Sequence, residues 1–280
     1  MKGKLRNTLL VPALFLALFA CAGGAPQAAD KVLQMATTTS TDNTGLLDYL
    51  APMFKEATGI ELRWVAVGTG KALELGKNCD VDVLLVHSPA AEEKYVAEGY
   101  GVERTRIMYN DFVIIGPKDD PAGIRGMNAS AALKTLAMEK IPFVSRGDSS
   151  GTHKKELSLW KAAGIPVEDK ADWYIQTGQG MLATINVAAE RRGYTLTDRG
   201  TYIKYEHTLK GDPPLVILAE GDRNLFNQYS ALIVNPQRCP QVKADLAKAF
   251  IDWLTSPATQ KAIADYKMLG KSLFTPNAER

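Results

Sequence analysis

The sequence predicts an α/β protein in which mainly parallel strands are flanked by helices on both sides. Short apolar runs alternate with helical stripes along almost the whole chain. Val81–Val86, an apolar run broken only at Asp82, has the character of a strand buried on both faces. Glycine- and hydroxyl-rich turns fall where strands pass into helices, and open parallel sheets bind ligands outside those strand ends.

The elements follow in order. Val32–Ala36 is the first strand. Leu46, Leu47, Leu50, Met53 and Phe54 form a helical stripe that stops at Thr58 and Gly59. Ile60–Val67 is a second strand, with a short helix from about Lys71. Val81–Val86 leads to a helix over Pro89–Glu98. Asp111–Ile115 is a strand closed by Gly116 and Pro117, and a helix is expected near Ala129–Lys140. Ile141–Val144 runs into the turn Ser145–Thr152, and a helix carrying Leu157 and Trp160 ends near Gly164. Gly178–Gly180 precedes a helix over Met181–Arg191. Leu215–Leu218 and Ala231–Val234 are strands, and the helices Val242–Leu254 and Pro257–Tyr266 close the chain.

The first 29 residues read as a leader outside the fold. Lys2, Lys4 and Arg6 precede the twelve apolar residues Leu9–Ala20, too few to span a bilayer. Cleavage near Ala28 or Ala29 is favoured over lipidation at Cys21. Removing the leader shifts the formal charge from +2 to −1. That balance gives no support for nucleic-acid binding. About 250 residues remain, enough for one large domain or two lobes. Cys79 and Cys239 are far apart; a disulfide and two buried thiols both fit an exported chain. No residues stand at the spacing of a protein metal site.

Three turns carry the chemistry. In Ser145–Thr152 a guanidinium, hydroxyls and a glycine sit where a strand hands over to a helix. The unpaired N–H groups and positive dipole end of a helix start attract anions, and Arg146 adds a planar donor fork. Thr37–Thr41 ends the first strand with five hydroxyls in a row, more than capping needs. Gly68–Gly70 ends the second strand and offers Thr69. Val67–Ala72 fails as a nucleotide-binding P-loop, because Val65 and Ala72 stand where a glycine and a magnesium-holding hydroxyl are required. Two sheets facing one another would bring the three turns into one cleft that captures a small oxyanion. Gly147–Gly151 also matches a hydrolase nucleophile elbow with Ser149, which Asp198 and His207 would complete. His87, His153 and His207 otherwise receive no role, and the turns lack aromatics to stack on a sugar.

Taken together, Ala36–Asp42, Val67–Leu73, Asp82–Ser88, Tyr109–Pro117 and Ser145–His153 resemble the tungstate-binding proteins of ABC importers, the TupA family. The likeness covers nearly the whole mature chain. It implies a two-lobed type II periplasmic-binding-protein fold with the ligand in the interlobe cleft. Lobe I would hold residues 30–110 and 228–280, and lobe II residues 111–227. The implied oxyanion contacts are Thr38, Thr39, Ser40, Thr69, Arg146, Ser150, Gly151 and Thr152, with Asp148 behind them holding Arg146. The resemblance implies a monomeric periplasmic receptor, not an enzyme, with no cofactor. It would deliver tungstate, and molybdate as a related cargo, to a membrane permease. Arg146, Asp148, Ser150, Gly151 and Thr152 also resemble the motif of phosphate-binding proteins of the same fold. Hydrogen phosphate rewards a carboxylate acceptor, whereas tungstate and molybdate need donors only.

Overall fold

The computed structural model describes residues 31–148, 150–167 and 172–278; the expected leader and Ser149 lie outside these described residues. The chain begins β1 (Val32–Thr38), α1 (Thr39–Asp42), α2 (Leu46–Thr58), β2 (Glu61–Val67), α3 (Thr69–Lys77), β3 (Val83–Val86) and α4 (Pro89–Ala97). Gly59, at φ 71, stops α2 in the left-handed conformation that favours glycine. A long strand β4 (Gly101–Pro117) leads to α5 (Ala129–Met138), β5 (Phe143–Ser145), α6 (Gly151–Ala162), β6 (Tyr174–Gln176), α7 (Met181–Glu190), β7 (Thr195–Asp198), α8 (Arg199–Thr208) and β8 (Leu215–Ala219). After a 3₁₀ turn at Arg223–Leu225 come β9 (Phe226–Val234), α9 (Ala244–Leu254), α10 (Pro257–Asp265) and the short strands β10 (Lys267–Met268), β11 (Lys271–Ser272) and β12 (Thr275–Pro276).

The main sheet has the order β12-β4-β9-β3-β1-β2, with β7 and β8 added along β4. β1 pairs in parallel with β2 and β3, as the alternation of strands and helices predicts. The sheet as a whole is mixed rather than mainly parallel. β9 lies antiparallel to both β3 and β4, because one of these strands carries the chain away and the other brings it back. Between β4 and β9 the chain builds α5 through β8 before it returns. The β5–β6 pair is again parallel.

Alternation within the strands divides the core. Leu33, Met35, Val83 and Leu85 face Phe54 of α2 and Phe250 of α9, while Ala36, Leu84 and Val86 face Leu73 of α3 and Tyr95 of α4. Farther along β4, Phe112 and Ile114 pack with Leu133 of α5 and Trp160 of α6. Val113 and Ile115 pack with Ile185 of α7 and Tyr202 of α8. β4 pairs with β9 over Gly101–Asp111 and with β7 and β8 over Phe112–Pro117, so one strand serves three of the four clusters.

Cys79 and Cys239 form a disulfide across 160 residues of sequence, which decides between the two expectations for them. Replacing both by serine should lower stability by roughly 2–5 kcal/mol. Thermal melts of the variant and of the parent with and without reductant check this. Identical melting temperatures would show that the bond contributes nothing.

Candidate functional site

β1 ends in the run of hydroxyls, and the strand's period of two sorts them. Thr37 points into the sheet and donates to the Leu85 carbonyl at 2.7 Å. Thr38 faces the other way and caps α1, accepting from the Thr41 N–H at 3.2 Å. Its Oγ1 lies 2.6 Å from Thr41 Oγ1 and 3.0 Å from Ser40 Oγ. Thr37 and Thr41 are fully buried, so Thr38, Thr39 and Ser40 are the members of the run that line a cavity. From β2, Gly68 starts α3 with no side-chain cap, and Thr69 and Gly70 join the same wall.

The turn between β5 and α6 forms the facing wall. Arg146 is ion-paired with Asp148, both side chains 19% exposed. The other Asp148 oxygen accepts the Ser150 N–H at 3.2 Å, and the Ser150 hydroxyl caps α6 through the His153 N–H at 3.2 Å. Burial works to raise the Asp148 pKa, but the Ser150 hydrogen bonds and the Arg146 charge outweigh it and hold the carboxyl below its ordinary range. Gly147 has φ +62, and a Cβ there would stand 2.8 Å from Gln176 Cβ, so no other residue fits the turn. Arg146 Nε is buried with no hydrogen-bond partner among the described residues.

Arg146, Ser150, Gly151 and Thr152 border the same cavity as Thr38, Thr39, Ser40 and Thr69, so all eight expected contact residues converge on one space of about 650 Å³. The starts of α7 (Gly180, Met181) and α8 (Asp198, Gly200, Thr201) complete it, with Lys154 and Lys204 also in its lining. Asp198 accepts from the Thr201 N–H at 2.8 Å and from its hydroxyl at 2.7 Å, so this carboxylate is engaged in capping α8. His207 borders a different pocket. The structure therefore does not bring Asp198 and His207 together as partners for Ser149. Among the described residues no cluster of three or more His, Cys, Asp or Glu could hold a metal ion.

His87 is the residue that sequence reasoning missed. It follows β3 and lines the cavity. Its Nε2 lies 3.0 Å from both Thr38 Oγ1 and Ser40 Oγ, and its Nδ1 lies 2.9 Å from Asn227 Oδ1. The ring stacks on Tyr229 at 4.7 Å. Burial lowers its pKa against the opposing pull of Asn227 and Asp198, favouring the neutral ring. The available signal was its place just beyond a buried strand, where ligands gather.

A family model described as a PBP superfamily domain matches residues 24–258. The chain is 52% identical over 240 residues to the tungstate-binding protein TupA of Campylobacter jejuni, covering 86% of this chain and 89% of that protein. It is also similar to the solved tungstate-binding protein TupA from Desulfovibrio alaskensis G20. That structure shows 67% identity and a TM-score of 0.86, with 90% of this chain and 100% of that one covered. The tungstate ABC transporter structure from Geobacter sulfurreducens matches at 50% identity and a TM-score of 0.74, with coverage of 84% and 99%.

Beneath the facing turn, Glu156 is 2% exposed. It accepts from Tyr174 OH at 2.6 Å and from Trp160 Nε1 at 3.4 Å. Burial pushes its pKa up from 4.5 to about 7, more than these donors pull it down. Between those two values the unfolded chain releases this proton while the folded chain keeps it. Its contribution to stability therefore falls as pH rises through that window and levels off above pH 7. Glu156→Gln should match the parent near pH 4.5 and exceed it at pH 8, by up to roughly 3 kcal/mol. Urea unfolding of both proteins at the two pH values reads this. A constant difference would place the titration elsewhere.

Proposed function

The chain belongs to the TupA family of tungstate-binding proteins within the PBP superfamily, and from that premise we propose that it captures tungstate outside the cytoplasm and delivers it to the permease of an ABC importer. Molybdate, an anion of the same charge and shape, is the related cargo. The carrying observation is that three donor-rich turns from distant parts of the sequence line one cavity with Arg146, whose Nε is buried without a partner among the described residues.

The chemistry of the turns favours a fully ionised anion. Asp148, the carboxylate beside Arg146, is engaged by Arg146 and by Ser150 N–H. It is thereby occupied where hydrogen phosphate would need an acceptor. In this reading Thr38, Thr39, Ser40, Thr69, Arg146, Ser150, Gly151 and Thr152 supply the donors, aided by the positive ends of α3 and α6. Asp148 orients the guanidinium. Residues 30–110 and 228–280 form one lobe and 111–227 the other, with β4 and β9 carrying the crossings. The protein acts as a monomer without cofactor or catalysis, exported by its leader and released rather than anchored at Cys21.

The cavity has a volume suited to a drug-sized molecule. A four-oxygen anion leaves most of it empty unless the walls draw together, so binding should close the cleft. Small-angle scattering should show a smaller radius of gyration with saturating tungstate, and an unchanged profile would remove closure. Titration calorimetry should give one tungstate per chain and far weaker phosphate binding from pH 6 to 8. Tighter binding of phosphate than of tungstate would overturn the assignment. Arg146→Gln should lose about ten- to a hundredfold in tungstate affinity, the value of a charge-assisted hydrogen bond. Arg146→Lys, which keeps the charge but not the fork, should fall between.

A further inference from the structure

We infer that His87 is a specificity-determining positioning residue of the anion site, fixing where the Thr38 and Ser40 hydroxyls stand. The inference rests on the tungstate reading above. The chain of contacts begins at Asn227. Its Nδ2 donates to Asn110 Oδ1 at 2.8 Å and lies 3.3 Å from Tyr229 OH. Its Oδ1 is thereby turned toward His87 Nδ1, 2.9 Å away. An amide oxygen only accepts, so Nδ1 carries the hydrogen and the neutral ring has its lone pair at Nε2. Two hydroxyls, Thr38 Oγ1 and Ser40 Oγ, each lie 3.0 Å from that lone pair. It accepts one hydrogen, so only one hydroxyl of the pair donates to the ring, and the other is shared among its neighbours in the turn and the cavity.

The ring is itself held. Tyr229 stacks on one face at 4.7 Å. Asn110 and Asn227 are register partners on β4 and β9, both buried. Thr38 Oγ1 is held from its other side by the Thr41 N–H and Thr41 Oγ1. The first turn therefore offers a donor arrangement set by the sheet rather than freely rotating hydroxyls. Tungstate and sulfate carry the same charge and differ in size. Donors held at fixed positions separate such ions, and donors that adapt to either do not.

Two substitutions test this. His87→Asn keeps an N–H near the Nδ1 position for Asn227 but falls short of the hydroxyls. His87→Gln reaches the Nε2 position. In calorimetric titrations the Asn variant should lose about tenfold in tungstate affinity and the Gln variant less than about threefold. The ratio of tungstate to sulfate affinity should fall in the Asn variant and hold in the Gln variant. Equal behaviour of the two variants, or an unchanged ratio in both, would overturn the role. Imidazole ¹⁵N spectra of the parent give a readout that needs no substitution. Without anion, Nδ1 should carry the hydrogen and Nε2 should be bare; the reverse overturns the inference. Tungstate should then move the Nε2 resonance and leave Nδ1 unmoved. A parent that shows the expected free spectrum but binds no tungstate would sink the transport reading and leave the donor arrangement standing.

Discussion

A guanidinium drawn largely out of water must find acceptors close by, and the pairing of Arg146 with Asp148 organises one wall of the cavity. Asp148 can hold Arg146 only if the chain doubles back within two residues, which places Gly147 at φ +62 against Gln176. The carboxylate's second oxygen then takes the Ser150 N–H, setting the residue whose hydroxyl caps α6. One ion pair thus fixes where a helix begins and where its first N–H groups point. It also nearly cancels its own charge. The helix ends and Lys154 and Lys204 in the lining therefore add to the positive field of the cavity.

The opposite wall is anchored differently, by the sheet itself. Thr37 is bonded across to β3, and His87 is tied to the Asn110–Asn227 pair on the antiparallel strands β4 and β9. One residue on, Arg199 grips Asp111 with two hydrogen bonds of 2.5 and 2.6 Å and reaches Glu220 at 2.6 Å. The side-chain bond to Asp111 leads the causes that raise the Arg199 pKa, so its charge is permanent. α8, which begins at Arg199, also sends Ile203 into the cluster of β1 and β3, and Tyr202 and Tyr205 into that of α7. This stretch of β4 and β9 therefore carries a bidentate ion pair, a pair of amides and a shared helix within a few residues.

The strands that sequence revealed best are those whose apolar runs are continuous. β3 was legible because every residue of Val83–Val86 is buried. Only the apolar ends of β4 and β9 were, Asp111–Ile115 and Ala231–Val234, since exposed and half-buried residues such as Glu103 and Arg106 interrupt the rest. β7 escaped notice because its burial is achieved with Thr195, Thr197 and Asp198, whose polarity hides a strand. The turns at strand ends were visible as composition. Which hydroxyl faced the cavity was not: that depends on register, and the sequence does not print that Thr37 opposes Leu85. His87 was invisible for the same reason. Its partners Thr38 and Asn227 stand 49 and 140 residues away, and only the folded sheet joins them. The Cys79–Cys239 bond likewise waited on three-dimensional proximity.

That bond also bears on the order of assembly as the chain emerges from its N-terminus. β1, β2 and β3 are made early, but they cannot seal their sheet until β9 arrives to pair with β3. Phe250 of α9 must come later still to cover Phe54. Cys79 must wait 160 residues for Cys239. The segment between can meanwhile form its own cluster around Trp160, since Leu133, Phe143 and Tyr174 all lie within it. The first strands synthesised are thus among the last to be completed, and for that interval their apolar faces and open edges are the part of the molecule most in need of protection from aggregation.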